Sequence, residues 1–217
     1  MAIPETVTFF TDLGRNDYNV DVIILASGSP RRRELLSLLG LPFEVITSEA
    51  DESTPPDWTP EQIVCNLALR KAEAVIPAVG ERNAVIIGSD TIVVLDDTVL
   101  GKPVNELDSK AMLTALQGRK HRVYTGVACI GLPDGKTLVD HRVTSVTMRA
   151  MSDNEIAAYI ATGEPADKAG SYAIQGLGAT LVERIEGCYF NVVGLPLSLL
   201  GGMLSGFGIT VLNQQGE

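Results

Sequence analysis

The sequence predicts an α/β protein built on a mixed, twisted sheet flanked by helices. Three observations carry this. Short β-branched runs such as 22–25 (Val22-Ile23-Ile24-Leu25) and 84–88 read as buried strands. Helices with N-caps at Ser29, Thr59, Asn105 and Ser152 stand between the strands. Hairpin turns at Asp96-Asp97 and Pro133-Asp134-Gly135 interrupt that alternation, so the sheet is mixed rather than doubly wound.

The 217 residues, 45% of them hydrophobic, suffice for one sizeable core with room for two lobes. A net charge of −10 makes the chain a poor general binder of nucleic acid or of an anionic membrane surface. Cys65, Cys129 and Cys188 lack metal-type spacing, and their odd number suits a reducing cytoplasm. His121 and His141 make no zinc pattern. Residues 1–20 show no continuous apolar core and no secretory signal; they read as an N-terminal extension before a single domain over 21–213. Residues 192–215 carry no charge, but Pro196, Gly201, Gly202, Gly206 and Gly208 interrupt them. A buried or dimer-facing terminal helix fits better than a membrane span, which leaves a homodimer open.

In chain order, strand 22–25 leads through Ser27-Gly28-Ser29 into a helix with Ser29 at the N-cap and Pro30 at N1. Leu35, Leu36, Leu38 and Leu39 form its apolar stripe, and Gly40 stops it. Arg31, Arg32 and Arg33 occupy the first turn, where the helix dipole disfavours positive charge. A polyanion over the turn resolves the conflict. Backbone N–H groups, the Ser27 and Ser29 hydroxyls and guanidinium forks then converge on phosphate oxygens. For any single arginine, a solvated turn is the simpler reading.

Residues 43–47 make a second strand. The acidic, proline-rich stretch 49–58 is a surface loop. A capping box at Thr59-Pro60-Glu61-Gln62 opens a helix to about Ile76, with Ile63, Val64, Leu67, Ala68, Ala72 and Val75 inward. Lys71 lies at the margin of that stripe, where a lysine usually snorkels. Strands 84–88 and 92–95 bracket Ser89-Asp90-Thr91. A carboxylate there is costly unless hydrogen-bonded or beside a cation. It holds a metal, acts as a base, or caps a turn. Residues 99–100 pair back across Asp96-Asp97, and Lys102 follows in a loop. A helix runs from Asn105 to Gly118, and strands 123–132 and 137–148 form a long hairpin with alternating Thr144, Val146 and Met148. A helix to Ala161, a glycine-punctuated segment 167–178, strands 180–185 and 189–193 and the terminal helix complete the reading.

The turn Ser27-Gly28-Ser29-Pro30-Arg31-Arg32 resembles the signature of the Maf family of nucleoside triphosphate pyrophosphatases. The stretches Ser89-Asp90-Thr91, Gly101-Lys102-Pro103 and Asp167-Lys168-Ala169-Gly170-Ser171-Tyr172-Ala173-Ile174-Gln175-Gly176 resemble its other motifs, in the same order. Each is weak alone; four in order are strong. The resemblance implies an elongated, two-lobed Maf/ITPase-like fold with a central cleft. It implies hydrolysis of a nucleoside triphosphate, dTTP or UTP, to the monophosphate and pyrophosphate. Asp90 would be the catalytic base. A divalent cation, Mg²⁺ or Mn²⁺, would bind Asp90 or Glu52. Arg32, Lys102, Lys71 and Lys168 would face the substrate, and Arg31, Thr91 and Gln175 would accompany the preference for dTTP and UTP. A glutamine amide suits uracil and thymine, which present a carbonyl acceptor beside an N–H donor.

No Walker loop and no Gly-x-Gly-x-x-Gly follows the first strand, so the phosphate site is of another kind. Two other readings remain at this level: a non-catalytic nucleotide-binding regulator of cell division, and a hydrolase of modified or purine nucleotides.

Overall fold

The structure, a computed structural model, describes residues 20–212. The N-terminal extension expected over 1–20 therefore lies, but for its last residue, outside the described residues. Two compact units emerge. The first ends at Asp90, resumes over Gly126–His141 and again from Gly194; the second comprises Thr91–Thr125 and Arg142–Val193.

In the first unit, β1 (Val22–Leu25) lies parallel between β2 (Phe43–Val45) and the start of β3 (Ala84–Leu95). Parallel pairing needs crossovers, and the capped helices supply them: α1 (Pro30–Ser37), then α2 (Pro60–Glu73) and the short α3 (Ile76–Val79). Ser29 and Thr59 are the N-caps of α1 and α2, and Thr59 with Gln62 closes the expected capping box. The core of this unit packs Ala68, Ala72 and Val75 against Ile24 and Ile86. Each fully buried Ile or Leu contributes about 1.5–3 kcal/mol. The terminal helix α7 (Leu197–Ser205) buries Leu199, Leu200, Met203 and Leu204. No helix among the described residues is long and apolar enough to cross a membrane.

In the second unit, β3 turns through Asp96 and Asp97, both at positive φ, into β4 (Thr98–Leu100). Helices α4 (Glu106–Leu116) and α5 (Asp153–Ala161) carry the expected Asn105 and Ser152 caps. The long strands β5 (Lys120–Leu132) and β6 (Thr137–Met148) follow α4, and β7 (Val182–Glu186) pairs antiparallel with β6. Leu113, Leu116, Val146, Met148 and Ile156 form this unit's core. The seven strands make one mixed sheet in the order β2-β1-β3-β5-β6-β7, with β4 on β3. This is the mixed α/β architecture expected from the sequence.

Several local expectations are corrected. Residues 84–95 form one continuous strand, so Asp90 sits within a ladder and not on a turn between two strands. The second strand stops at Val45. The helix read to Ile76 ends at Glu73, because Pro77 lacks an N–H and would collide with the Glu73 carbonyl. Leu38 is 66% exposed, outside the stripe that Leu35 and Leu36 bury. β5 begins three residues earlier than read, at Lys120. Residues 180–181 finish a 3-10 turn over Gly176–Leu181, ahead of β7. Residues 189–193 form a helix, α6 (Tyr189–Val193), not a strand. A short apolar run does not distinguish the two, and here a turn at Gly187 and the inward Asn191 decide. The Asn191 amide donates to the Val123 carbonyl and the Thr144 hydroxyl, each at 3.0 Å.

Candidate active site

The first unit brings together most of the residues singled out in the sequence. At the β1–α1 turn, Ser27 Oγ accepts the Ser29 N–H at 3.2 Å, and Ser29 Oγ accepts the Arg32 N–H at 3.4 Å. A hydroxyl that accepts can still donate its own proton to a ligand. Arg32 is not a loose surface arginine. Its Nε donates to the Gly194 carbonyl at 2.8 Å, and its Nη1 lies 3.5 Å from Ser27 Oγ. Ser89 Oγ lies 3.0 Å from the same Gly194 carbonyl. Its other acceptor is the Gly126 carbonyl at 2.9 Å, so the Ser89 hydroxyl, with one proton, lies between Gly126 and the carbonyl that anchors the arginine fork. Arg31 is part-buried beside it.

Asp90 is 7% exposed, and Lys71 Nζ lies 2.6 Å from its Oδ1. The same ammonium lies 2.8 Å from Glu52 Oε1. The sequence signal for this meeting is a glycine. Gly88 and Asp90 share one face of β3, since side chains alternate along a strand. A Cβ at Gly88 would stand 2.1 Å from the Ala68 carbonyl oxygen, and one at Gly126 of β5 would stand 2.2 Å from that of Val64. Glycine at both positions lets α2 lie directly on the strands. Lys71, one residue before Ala72, then reaches Asp90 from within the packed layer. Glu52 is delivered from the loop by Arg70, which sequence reading missed. Its guanidinium donates to the carbonyls of Asp51 and Ser53, at 3.3 and 2.7 Å, on either side of Glu52. Arg70 also covers the Trp58 ring at 5.4 Å.

Electrostatics join the two groups. Burial lowers the pKa of Arg32, and the Arg31 charge lowers it further. The carboxylates of Asp90 and Glu52 oppose this. Two carboxylates, Asp90 and Glu52, and three cations, Arg31, Arg32 and Lys71, thus neighbour one another.

The remaining four lie in the second unit. Thr125 gives its one proton to the Asn191 carbonyl at 2.8 Å, so at the 2.9 Å Thr91–Thr125 contact Thr91 is the donor. Lys102 is exposed and follows Gly101, whose carbonyl accepts the Gly170 N–H at 3.0 Å. That bond ties the Gly101-Lys102-Pro103 loop to the 167–176 segment. Lys168 Nζ donates to the Glu164 carbonyl at 2.8 Å and pairs with Asp167 at 2.5 Å. Gln175 is half-buried with extended backbone and directly precedes the 3-10 turn Gly176–Leu181.

The fold and site define a class: an α/β protein with an arginine-bearing turn after its first strand and a lysine-bridged carboxylate pair on a neighbouring strand and loop. A structure of the Staphylococcus aureus Ham1 protein shares the fold, with a TM-score of 0.50 at 16% identity, covering 86% of this chain and 99% of that one. The family model described as Maf-like protein matches residues 22–207. A Moorella thermoacetica protein named dTTP/UTP pyrophosphatase is 52% identical over 189 residues, 87% of this chain and 96% of its own length. One of the same name from Pelotomaculum thermopropionicum is 49% identical over 190 residues, 88% and 98%. The chain belongs to the Maf family.

Proposed function

We propose that the chain hydrolyses dTTP and UTP at the bond between the α- and β-phosphates, adding one water and releasing the monophosphate and pyrophosphate. Relatives about half identical over nearly their whole length bear that name. The observation in this chain that supports it most is Lys71, which holds Asp90 and Glu52 within 2.8 Å of one ammonium. Phosphoryl-centre displacement needs positioning, charge neutralisation and an oriented water. Arg31, Arg32 and the Ser27 and Ser29 hydroxyls bind phosphate oxygens at the α1 turn. Asp90 orients the attacking water and accepts its proton. Lys102 and Lys168 hold the triphosphate, and Thr91 with Gln175 reads the base.

A divalent cation fits this donor set. Mg²⁺ is usually held by one or two carboxylates plus substrate phosphates, keeping several waters. Asp90 and Glu52 are such a pair, and no group of three His, Cys, Asp or Glu among the described residues could hold a metal unaided. Asp90 and Glu52 would hold Mg²⁺ or Mn²⁺ together with the substrate, and the ion would neutralise phosphate charge. The net charge of −10 suits free nucleotides rather than nucleic acid, and the free thiols of Cys65, Cys129 and Cys188 suit the cytoplasm.

A panel of nucleoside triphosphates tests the reading, with pyrophosphate and orthophosphate measured separately and with and without a chelator. Pyrophosphate from dTTP and UTP, abolished by the chelator, is the expected result. Orthophosphate with a diphosphate product overturns the assigned bond, and equal turnover of all bases overturns the preference for dTTP and UTP.

A further inference from the structure

The two residues that the proposed function places on the substrate from the 167–176 segment hang from a third, Glu164, for which that reading has no role. Glu164 Oε1 accepts the Tyr159 hydroxyl at 2.8 Å and the Gly178 N–H at 2.8 Å. Its Oε2 accepts the Leu177 N–H at 2.9 Å. Those amides open the 3-10 turn that begins immediately after Gln175. The fit is close: at Gly176, with φ +65°, an added Cβ would stand 2.5 Å from Oε2. Tyr159 OH in turn accepts the Ala173 N–H at 3.1 Å, so main chain on both sides of Gln175 is held by this one carboxylate and its phenol. The Glu164 main-chain carbonyl accepts the Lys168 ammonium at 2.8 Å.

We propose that Glu164 is a positioning residue for base selection, presenting Gln175 through its carboxylate while its carbonyl holds Lys168 in place. The inference rests on the reading of Gln175 as the base-recognising residue. Glu164 does not touch the base; it fixes the backbone from which the Gln175 amide reaches it. Burial alone would raise the pKa of Glu164. Donors from Gly178, Leu177 and Tyr159, and the Lys168 charge, outweigh that and leave it below the ordinary carboxylate value. The group therefore stays an acceptor for all three donors at neutral pH. Amide recognition of a pyrimidine edge depends on angle as well as distance, so a loosened turn lowers discrimination before it lowers chemistry.

The test measures kcat and KM for dTTP, UTP, CTP and GTP on the full chain, with melting temperatures. Four proteins are compared: wild type, Glu164→Gln, Gln175→Ala and the double variant. Glu164→Gln turns one acceptor into a donor facing the Leu177 N–H. The ratio of kcat/KM for dTTP over CTP should fall about tenfold, mainly through KM. In the Gln175→Ala background the same change should leave the ratio unaltered, a dependence that a merely structural role would not show. Tyr159→Phe removes one donor to the carboxylate and should lower the ratio in the same direction. It serves as the readout if Glu164→Gln does not fold. Equal loss for every base, or an undiminished effect without Gln175, overturns the positioning role and leaves base reading by Gln175 intact. An unchanged ratio in Gln175→Ala overturns the base-reading assignment, and the proposal with it.

Discussion

Lys71 Nζ stands 2.6 Å from Asp90 Oδ1, with side chains 14% and 10% exposed, and reaches the more exposed Glu52 at 2.8 Å. The lysine explains how a carboxylate is accommodated inside a β-ladder: a short charge-assisted hydrogen bond gives it a partner there. It also commits one carboxylate oxygen, Oδ1, to the ammonium.

We predict that Asp90→Asn lowers kcat by about 10²–10⁴, the usual contribution of a general base. The change is isosteric and leaves Lys71 paired with Glu52 at 2.8 Å, so the variant should stay folded with only a modest fall in melting temperature. Single-turnover hydrolysis and nucleotide affinity on one preparation check it. Near wild-type turnover in a folded, nucleotide-binding variant would return Asp90 to a structural role.

Lys71→Met should destabilise the fold, because it strands a buried carboxylate; breaking such a pair costs about 3–5 kcal/mol when burial is complete. Part of that loss should vanish in Lys71→Met with Asp90→Asn, since the only carboxylate then deprived of the ammonium is Glu52, which is 55% exposed. Denaturant unfolding of both singles and the double measures the coupling. Additive losses would show that the 2.6 Å contact contributes nothing to stability.

Arg32→Ala should lower kcat/KM by about 1.5–3 kcal/mol, the range for hydrogen bonds to charged groups. Because Arg32 Nε also anchors the Gly194 carbonyl, some stability should be lost as well. Arg32→Lys restores the charge but not the planar fork, and should recover only part of the activity. Unaltered kinetics in Arg32→Ala would identify a purely structural arginine.

A pH prediction comes from the second unit. His121 is buried, its Nε2 lies 2.7 Å from the Tyr172 hydroxyl, and burial lowers its pKa to about 4. Below pH 6.5 the unfolded chain binds a proton here that the folded chain refuses until about pH 4. Stability from this group is therefore full above 6.5 and lost as pH falls toward 4, by an amount of about 3 kcal/mol. His121→Gln keeps a polar atom for Tyr172 but does not titrate. Melting temperature against pH should be flatter in this variant over that window; parallel curves would rule the histidine out.

Local chemistry was legible in the sequence wherever one residue decides its own conformation. The Ser29, Thr59, Asn105 and Ser152 caps, the Asp96-Asp97 turn and the alternation of Thr144, Val146 and Met148 all stand as read. The arginine turn and the mixed sheet were legible for the same reason: capping, turn and periodicity rules act within a few residues. Long-range packing decided the rest. Asp90 joins a continuous strand because β3 runs beside β5 from its pairing with β1 over 84–87 to its pairing with β4 over 93–95, which no local rule around Ser89-Asp90-Thr91 reports. Local rules make Lys71 a marginal snorkelling lysine and the family resemblance turns it toward phosphate; the close seating of α2 on Gly88 brings it onto Asp90. Arg70 and Glu164 find their partners among carbonyls and amides 13 to 19 residues away in the chain. Residues 189–193, apolar enough for either element, became a helix once Asn191 found the Val123 carbonyl and the Thr144 hydroxyl. Backbone preferences are properties of neighbours in sequence. A buried charge or amide is placed by whichever distant partner satisfies it, and only the tertiary structure supplies that partner.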